Sequence, residues 1–88
     1  EYKMSYETEQ ETIPADIHEQ ILSIVNALTD RQKEAIYLRF QEGMTYEEIS
    51  PLLDIKYQST RNLIHRTIEK IRDEMDLKLF LLLFLNHF

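Results

Sequence analysis

The stretch GMTYEEISPLLDIKYQSTRNLIHRTIEKIR, residues 43–72, decides the fold. Gly43 suits the left-handed backbone that ends a helix, and Thr45 with Glu48 has the spacing of a capping box that begins the next helix. Asp54 stands where a tight turn is needed, and aspartate tolerates a positive φ better than most residues. The rest of the stretch has helical periodicity. A capped helix, a tight turn and a second helix together predict a helix-turn-helix.

Two further helices are predicted upstream of this stretch. Pro14 suits the first turn of a helix, and apolar residues follow it at helical spacing. Thr29 with Gln32 forms a second capping-box pattern, which begins a helix that Gly43 ends. The residues expected to face the core from these helices and from the helix after Thr45 are Ile17, Ile21, Ile24, Val25, Leu28, Ala35, Ile36, Leu38, Phe40, Tyr46, Ile49, Leu52 and Leu53.

The chain divides into three predicted parts. Residues 1–12 are polar and acidic, without an apolar period, and are interpreted as a flexible linker. Residues 13–76 are predicted to form a small all-α, four-helix domain that contains the helix-turn-helix. Residues 77–88 form a hydrophobic helical extension, too short for the roughly 20 apolar residues that cross a bilayer. We therefore expect a cytoplasmic protein without membrane contact.

The composition excludes several kinds of chemistry. The chain has one glycine and two prolines among 88 residues, which favours helices over strands, and it has no cysteine for disulfides or thiolate metal sites. The three histidines lie far apart, without metal-ligand spacing. No glycine-rich phosphate loop or nucleophile with its base is present. The sequence therefore predicts no enzyme, no metal site and no cofactor.

The segment after the predicted turn is basic although the chain is acidic. The formal net charge is −6, yet five of the ten basic residues lie in residues 56–72, beside one acid. At about 100° per residue the polar side chains share one arc, while the opposite arc, with Tyr57, is expected to pack into the core. Arginine suits guanine, and asparagine and glutamine suit adenine, in the major groove. This pattern favours DNA contact over an ordinary solvated helix face. The polar arc comprises Gln58, Arg61, Asn62, His65, Arg66 and Glu69.

Residues 28–72 resemble region 4 of the sigma factors of bacterial RNA polymerase, and most closely the extracytoplasmic-function group. The segments that carry the resemblance are Leu28-Thr29-x-x-Gln32, Tyr37-Leu38-Arg39-Phe40, Gly43-Met44-Thr45-Tyr46-Glu47-Glu48-Ile49 and Thr60-Arg61-Asn62-x-x-His65-Arg66. The resemblance implies recognition of the promoter −35 element and docking on the β-subunit flap of RNA polymerase. With Gln58 from the polar arc, the expected DNA-binding residues are Lys56, Ser59, Arg61, Asn62, His65, Arg66, Thr45 and Arg39. For Arg39, a role in bracing the fold stays an alternative.

Three residues depart from the family pattern. Lys56 stands where the family usually has serine or proline, so the basic helix lacks a side-chain cap worth about 1 kcal/mol. Asp54 replaces a turn glycine. Pro51 falls inside the third predicted helix, where an interior proline costs about 3 kcal/mol or bends the helix. Such a bend would re-aim the basic helix.

The C-terminal extension is apolar on every side. Exposed apolar surface of that extent usually marks an interface. We expect Leu79, Phe80, Leu83 and Phe84 to contact a partner, with three candidates: sigma region 2, an anti-sigma factor, or a second copy of this chain. The alternative is that the extension folds back over the first helix of its own domain.

Two other functions fit the helix-turn-helix. One is the DNA-binding effector domain of a two-component-type regulator, which binds DNA as a dimer. The other is a protein-interaction module that keeps the fold without DNA recognition. The Tyr37-Leu38-Arg39-Phe40 segment and the His65-Arg66 pair favour the sigma factor over the effector domain.

Overall fold

The computed structural model of the chain describes residues 14–87, and side chains up to Asn86. The predicted linker, residues 1–12, lies outside the described residues. Within them the chain forms five α-helices, one π-helical turn and no strand. The helices are α1 (Ala15–Ala27), α2 (Asp30–Ile36), α3 (Tyr46–Leu53), α4 (Tyr57–Arg72) and α5 (Leu77–His87), and the π-helical turn spans Tyr37–Gln41. The all-α fold with a helix-turn-helix in α3 and α4 is confirmed.

The predicted helix boundaries have the expected local causes. The hydroxyl of Thr29 accepts a hydrogen bond from the Gln32 amide, and the Gln32 side chain accepts one from the Thr29 amide, both at 3.0 Å. Thr45 and Glu48 form the same reciprocal capping box at the start of α3. Because each pair satisfies two amides that a helix start would leave without partners, these boundaries are fixed by local sequence.

Both residues expected at positive φ adopt it. Gly43 has a φ of 68°, and the following Met44 amide donates to the Leu38 carbonyl at 3.1 Å. Asp54 has a φ of 57° and a ψ of 45°, and this left-handed residue ends α3. Between α2 and Gly43 the backbone forms a π-helical turn rather than the continuous α-helix that the sequence predicts. Helix α3 continues through Pro51 and ends at Leu53.

Helix α4 lies at the centre of the domain and packs against α2, α3 and α5. Thr60, Ile64, Thr67 and Ile71 form its buried face. The hydroxyls of Thr60 and of Ser50 in α3 are in contact inside the core. The buried apolar residues of the whole domain are Ile21, Ile24, Leu28, Ala35, Ile36, Ile49, Leu53, Ile64, Ile71, Phe80 and Phe84.

Three residues predicted for the core lie at the surface instead. Leu52 is 61% exposed, Tyr57 is 43% exposed and Phe40 is 38% exposed. Leu52 follows Pro51 on the outer side of α3, and both residues are exposed. The Tyr57 ring lies 6.0 Å from the Tyr46 ring in an edge-to-face arrangement.

Helix α5 folds back onto its own domain. It packs against α1, α4 and the π-helical turn, with Phe80 fully buried and Phe84 8% exposed. The two rings stack on each other with 5.3 Å between their centroids. The prediction that Phe80 and Phe84 contact a partner is therefore wrong for this fold, because the domain's own core covers them. Leu79 is 38% exposed and Leu83 is partly buried against the core.

Candidate nucleic-acid interface

The outer face of α4 carries six of the nine residues predicted to contact DNA. Gln58, Ser59, Asn62, His65 and Arg66 are exposed, and Arg61 is partly exposed. All six lie on the side opposite the buried threonine and isoleucine residues, so one helix presents them together. The Gln58 amide group donates to the Asn62 side-chain oxygen at 3.3 Å, one helical turn away. This arrangement gives α4 a continuous surface of hydrogen-bond donors and acceptors.

The N-terminal end of α4 is open to solvent. Lys56 is exposed, precedes the helix with a φ of −75° and a ψ of 159°, and makes no side-chain capping hydrogen bond. The first amides of the helix therefore have no side-chain acceptor from Lys56, and the partial positive charge of this helix end lies beside the lysine. Both features favour an anionic group such as phosphate.

Three of the predicted residues also line one shallow pocket. Ser59, Asn62 and Arg66 line a space of about 350 Å³ together with Leu63 and with Gln32 of α2. The pocket shows that the polar surface of α4 continues onto the start of α2.

The ring of Tyr46, the first residue of α3, lies against this face. The guanidinium carbon of Arg61 lies 6.0 Å from the ring centroid, and the His65 ring lies edge-on at 6.3 Å. The guanidinium carbon of Arg39 lies 5.1 Å from the same centroid. One aromatic side chain therefore contacts two arginines and a histidine from the predicted site.

Other basic side chains hold the fold together. The Arg39 guanidinium donates to the Met44 carbonyl at 2.9 Å, which matches the bracing role left open for it. Arg31 donates to the Leu53 carbonyl at 2.7 Å, at the C-terminal end of α3. Lys70 donates to the Ala27 carbonyl at 2.7 Å, so this lysine is directed to the end of α1 and away from the outer face. Arg72 lies at the far end of α4, beside the start of α5.

Thr45 is exposed at the start of α3, where its hydroxyl accepts from the Glu48 amide at 3.2 Å. Its predicted place near a nucleic-acid backbone is compatible with this position, although its hydroxyl serves the capping box.

The sequence was compared with models of known protein families. The family model for sigma-70, region 4 matches residues 18–71, which is more than half of the chain. The chain belongs to the sigma-70 region 4 family. The matched range includes the helix-turn-helix and the whole outer face of α4. This family is a DNA-binding regulatory domain of sigma factors, which act in transcription initiation with promoter DNA and RNA polymerase core. Comparisons with curated proteins and with solved structures gave no match.

Among residues 14–86, no group of three His, Asp or Glu side chains is placed to hold a metal ion. None of the helices described for the chain is long and apolar enough to cross a membrane.

Sequence reasoning did not assign Tyr46 to the predicted DNA-contacting face. The side chain was expected to face the core and does pack against it, but its ring also lies beside cationic residues of that face. A signal was available, because Tyr57, Arg61 and His65 are spaced four residues apart and form one ridge on α4. What the sequence did not contain was the packing angle that places Tyr46 against this ridge.

Proposed function

We propose that this chain is the −35 promoter recognition domain of a sigma factor of the extracytoplasmic-function type, and that it acts in the cytoplasm. In this proposal α4 enters the major groove of promoter DNA. Arg61, Asn62, His65 and Arg66 contact base edges or nearby phosphates, and Lys56, Ser59 and Gln58 contact DNA at the N-terminal end of the helix.

The observation that carries the proposal is the common exposure of these residues on one face of α4. An α-helix fits the major groove, and arginine and asparagine match the hydrogen-bonding patterns of guanine and adenine there. Family membership favours this function over the effector domain of a two-component-type regulator. Arg39 and Thr45 belong to this proposal only as backbone contacts near the edge of the interface, since both already make internal hydrogen bonds.

A binding selection on random duplex DNA, at two salt concentrations and with or without RNA polymerase core, tests the proposal. We expect the chain to enrich one sequence motif and its affinity to fall steeply with salt. Arg61→Ala should weaken binding to the selected duplex by about 1–3 kcal/mol and relax preference at one base pair. Arg72→Ala is the matched control, because Arg72 lies at the other end of α4. Unchanged affinity and preference in Arg61→Ala would contradict the assignment of α4 as the recognition helix.

We also propose that the chain docks on the β-subunit flap of RNA polymerase through the groove between the π-helical turn and α5. Phe40, Leu81, Leu82 and Leu85 line this groove of about 500 Å³, with Gln41, Lys78 and Asn86 at its polar positions. Leu82 is 61% exposed, so the groove leaves apolar surface uncovered that a partner helix would bury.

Two leucines of equal exposure allow a matched test of docking. Leu82→Glu should abolish binding to an isolated flap fragment, whereas Leu52→Glu should not, although Leu52 is also 61% exposed. Loss of binding in both variants, or in neither, would contradict the groove as the docking site. Sedimentation of the wild-type chain shows whether the groove is instead covered by a second copy of the chain. An anti-sigma factor that used the same groove would compete with the flap fragment.

A further inference from the structure

The ring of Tyr46 is in contact with a ridge on the recognition helix. Tyr57, Arg61 and His65 are spaced one helical turn apart, and all three lie against this ring, at 6.0, 6.0 and 6.3 Å from its centroid. Arg39, which belongs to the π-helical turn, also lies over the ring, with its guanidinium carbon 5.1 Å from the ring centroid. Tyr46 is therefore the point where α3, α4 and the π-helical turn meet beside the predicted DNA-contacting residues.

The arginine that covers Tyr46 is itself fixed. The Arg39 guanidinium donates to the Met44 carbonyl, two residues before Tyr46, at 2.9 Å. The backbone of Tyr46 is fixed as well, because its carbonyl accepts from the Ser50 hydroxyl at 2.7 Å and Thr45 caps the helix that it begins. The ring thus has a defined position before any ligand binds. Within residues 14–86 the side chains of Arg61 and His65, by contrast, make no hydrogen bond or ion pair, and each lies beside the Tyr46 ring.

We propose that Tyr46 is a positioning residue for DNA recognition, which holds the Arg61 guanidinium and the His65 ring in the orientation that meets the base edges. A cation over an aromatic face is attracted by the electrons of the ring. An arginine held in this way loses less side-chain freedom when it binds a base, because part of that freedom is already lost in the free protein. The inference rests on the proposed function and adds to it the residue that sets the base preference of Arg61.

The test compares Tyr46→Leu with Tyr46→Phe in the full chain, on the duplex selected by the wild type. Tyr46→Leu should bind about two- to fivefold more weakly, the effect expected for one exposed cation–π contact. It should also relax preference at the same base pair as Arg61→Ala. Tyr46→Phe keeps the ring and should keep both affinity and preference. Tyr37→Leu is the control for loss of an exposed tyrosine, because Tyr37 is 44% exposed on the π-helical turn.

The double variant Tyr46→Leu/Arg61→Ala decides whether the two residues act together. We expect it to lose less affinity than the sum of the two single variants, because part of the effect of the ring acts through the arginine and only the part that acts through His65 remains. Additive losses, or unchanged base preference in Tyr46→Leu, would overturn the inference while leaving the proposed function intact. A wild-type chain that selects no sequence, even with polymerase core, would instead overturn the proposed function.

A measurement on the wild-type chain keeps the inference testable if Tyr46→Leu does not fold. Nuclear magnetic resonance relaxation of the arginine side-chain Nε groups, without DNA, should show Arg61 to be more ordered than Arg66. Arg66 is on the same face, but its side chain has no ring contact or hydrogen bond within residues 14–86. Equal disorder of the two side chains would overturn the positioning role.

Discussion

The hydroxyl oxygens of Ser50 and Thr60 lie 2.8 Å apart in the core, where α3 packs against α4. Thr60 is fully buried and Ser50 is 8% exposed. The Ser50 hydroxyl donates to the Tyr46 carbonyl at 2.7 Å, and the Thr60 hydroxyl shares its one proton between the Ser50 oxygen and the Lys56 carbonyl, which lies 3.0 Å away. This hydrogen bond joins the two helices of the helix-turn-helix directly, and it contributes to the angle at which α4 is presented.

A double-mutant cycle should detect this hydrogen bond. Ser50→Ala and Thr60→Val should each lower the free energy of unfolding by about 1 kcal/mol, since the remaining hydroxyl keeps its backbone acceptor. The double variant should lose about 0.5–1 kcal/mol less than the sum, because both single changes remove the same bond. Urea denaturation measures all four proteins. Strictly additive losses in the free energy of unfolding would mean that no hydrogen bond between the two hydroxyls stabilises the contact of α3 with α4.

Helix α5 should behave as part of the core and not as a dispensable tail. Phe80→Ala removes a fully buried ring and should lower the free energy of unfolding by about 3–5 kcal/mol, a large part of the stability of a small domain. Leu82→Ala, on the exposed side of the same helix, should change it by less than about 0.5 kcal/mol. Thermal and urea unfolding followed by circular dichroism compare the two. If Phe80→Ala left the free energy of unfolding nearly unchanged, α5 would not pack against the core as described.

Lys56→Ser should move stability and DNA binding in opposite directions. Serine at this position can accept from a free amide at the start of α4, which should raise the free energy of unfolding by about 0.5–1 kcal/mol. Loss of the lysine charge should weaken DNA binding and reduce the slope of log affinity against log salt by about 1.

Lys56→Ala separates the two effects of that substitution. It removes the charge without adding a capping oxygen, so binding should fall while stability does not rise. The assignment of Lys56 to the DNA-contacting face would be rejected if both variants bound DNA like the wild type, with the same salt dependence.

Tyr37 should lose its phenolic proton later than an ordinary tyrosine. Its hydrogen bond with Glu42 raises the pKa of Tyr37 above 10.0, and the negative charge of Glu42 and slight desolvation act in the same direction. Because the pKa is raised in the folded state, the contribution to stability is complete below the unfolded pKa and is lost as the pH rises through the folded pKa.

Absorbance titration of the tyrosines above pH 9 measures this shift. Tyr37→Phe should remove the component that titrates late, and Glu42→Gln should move that component back towards the ordinary range. If Tyr37→Phe instead removed a component that titrates in the ordinary range of tyrosine, the contact with Glu42 would not be formed in solution.

Much of the fold could be predicted because its signals are local. The two capping boxes need only residues three positions apart, and the left-handed positions need only Gly43 and Asp54. The face of α4 follows from helical periodicity, so the outward placement of Asn62 and Arg66 was predictable as well. The π-helical turn was not predictable, since π-helices are rare and Tyr37–Gln41 has the composition of an ordinary helix.

The sequence by itself determined where the helices begin and end and which side of α4 is polar, because hydrogen bonds and side-chain periodicity within a few residues fix these features. Only the tertiary structure decided that Phe80 and Phe84 fill the core, that Leu52 is exposed and that the Tyr46 ring lies beside Arg61. Each of these outcomes depends on which surfaces of distant helices meet. An apolar residue in a uniformly apolar helix, or an aromatic ring at the start of a short one, has several faces it could pack against, and only the assembled domain selects one.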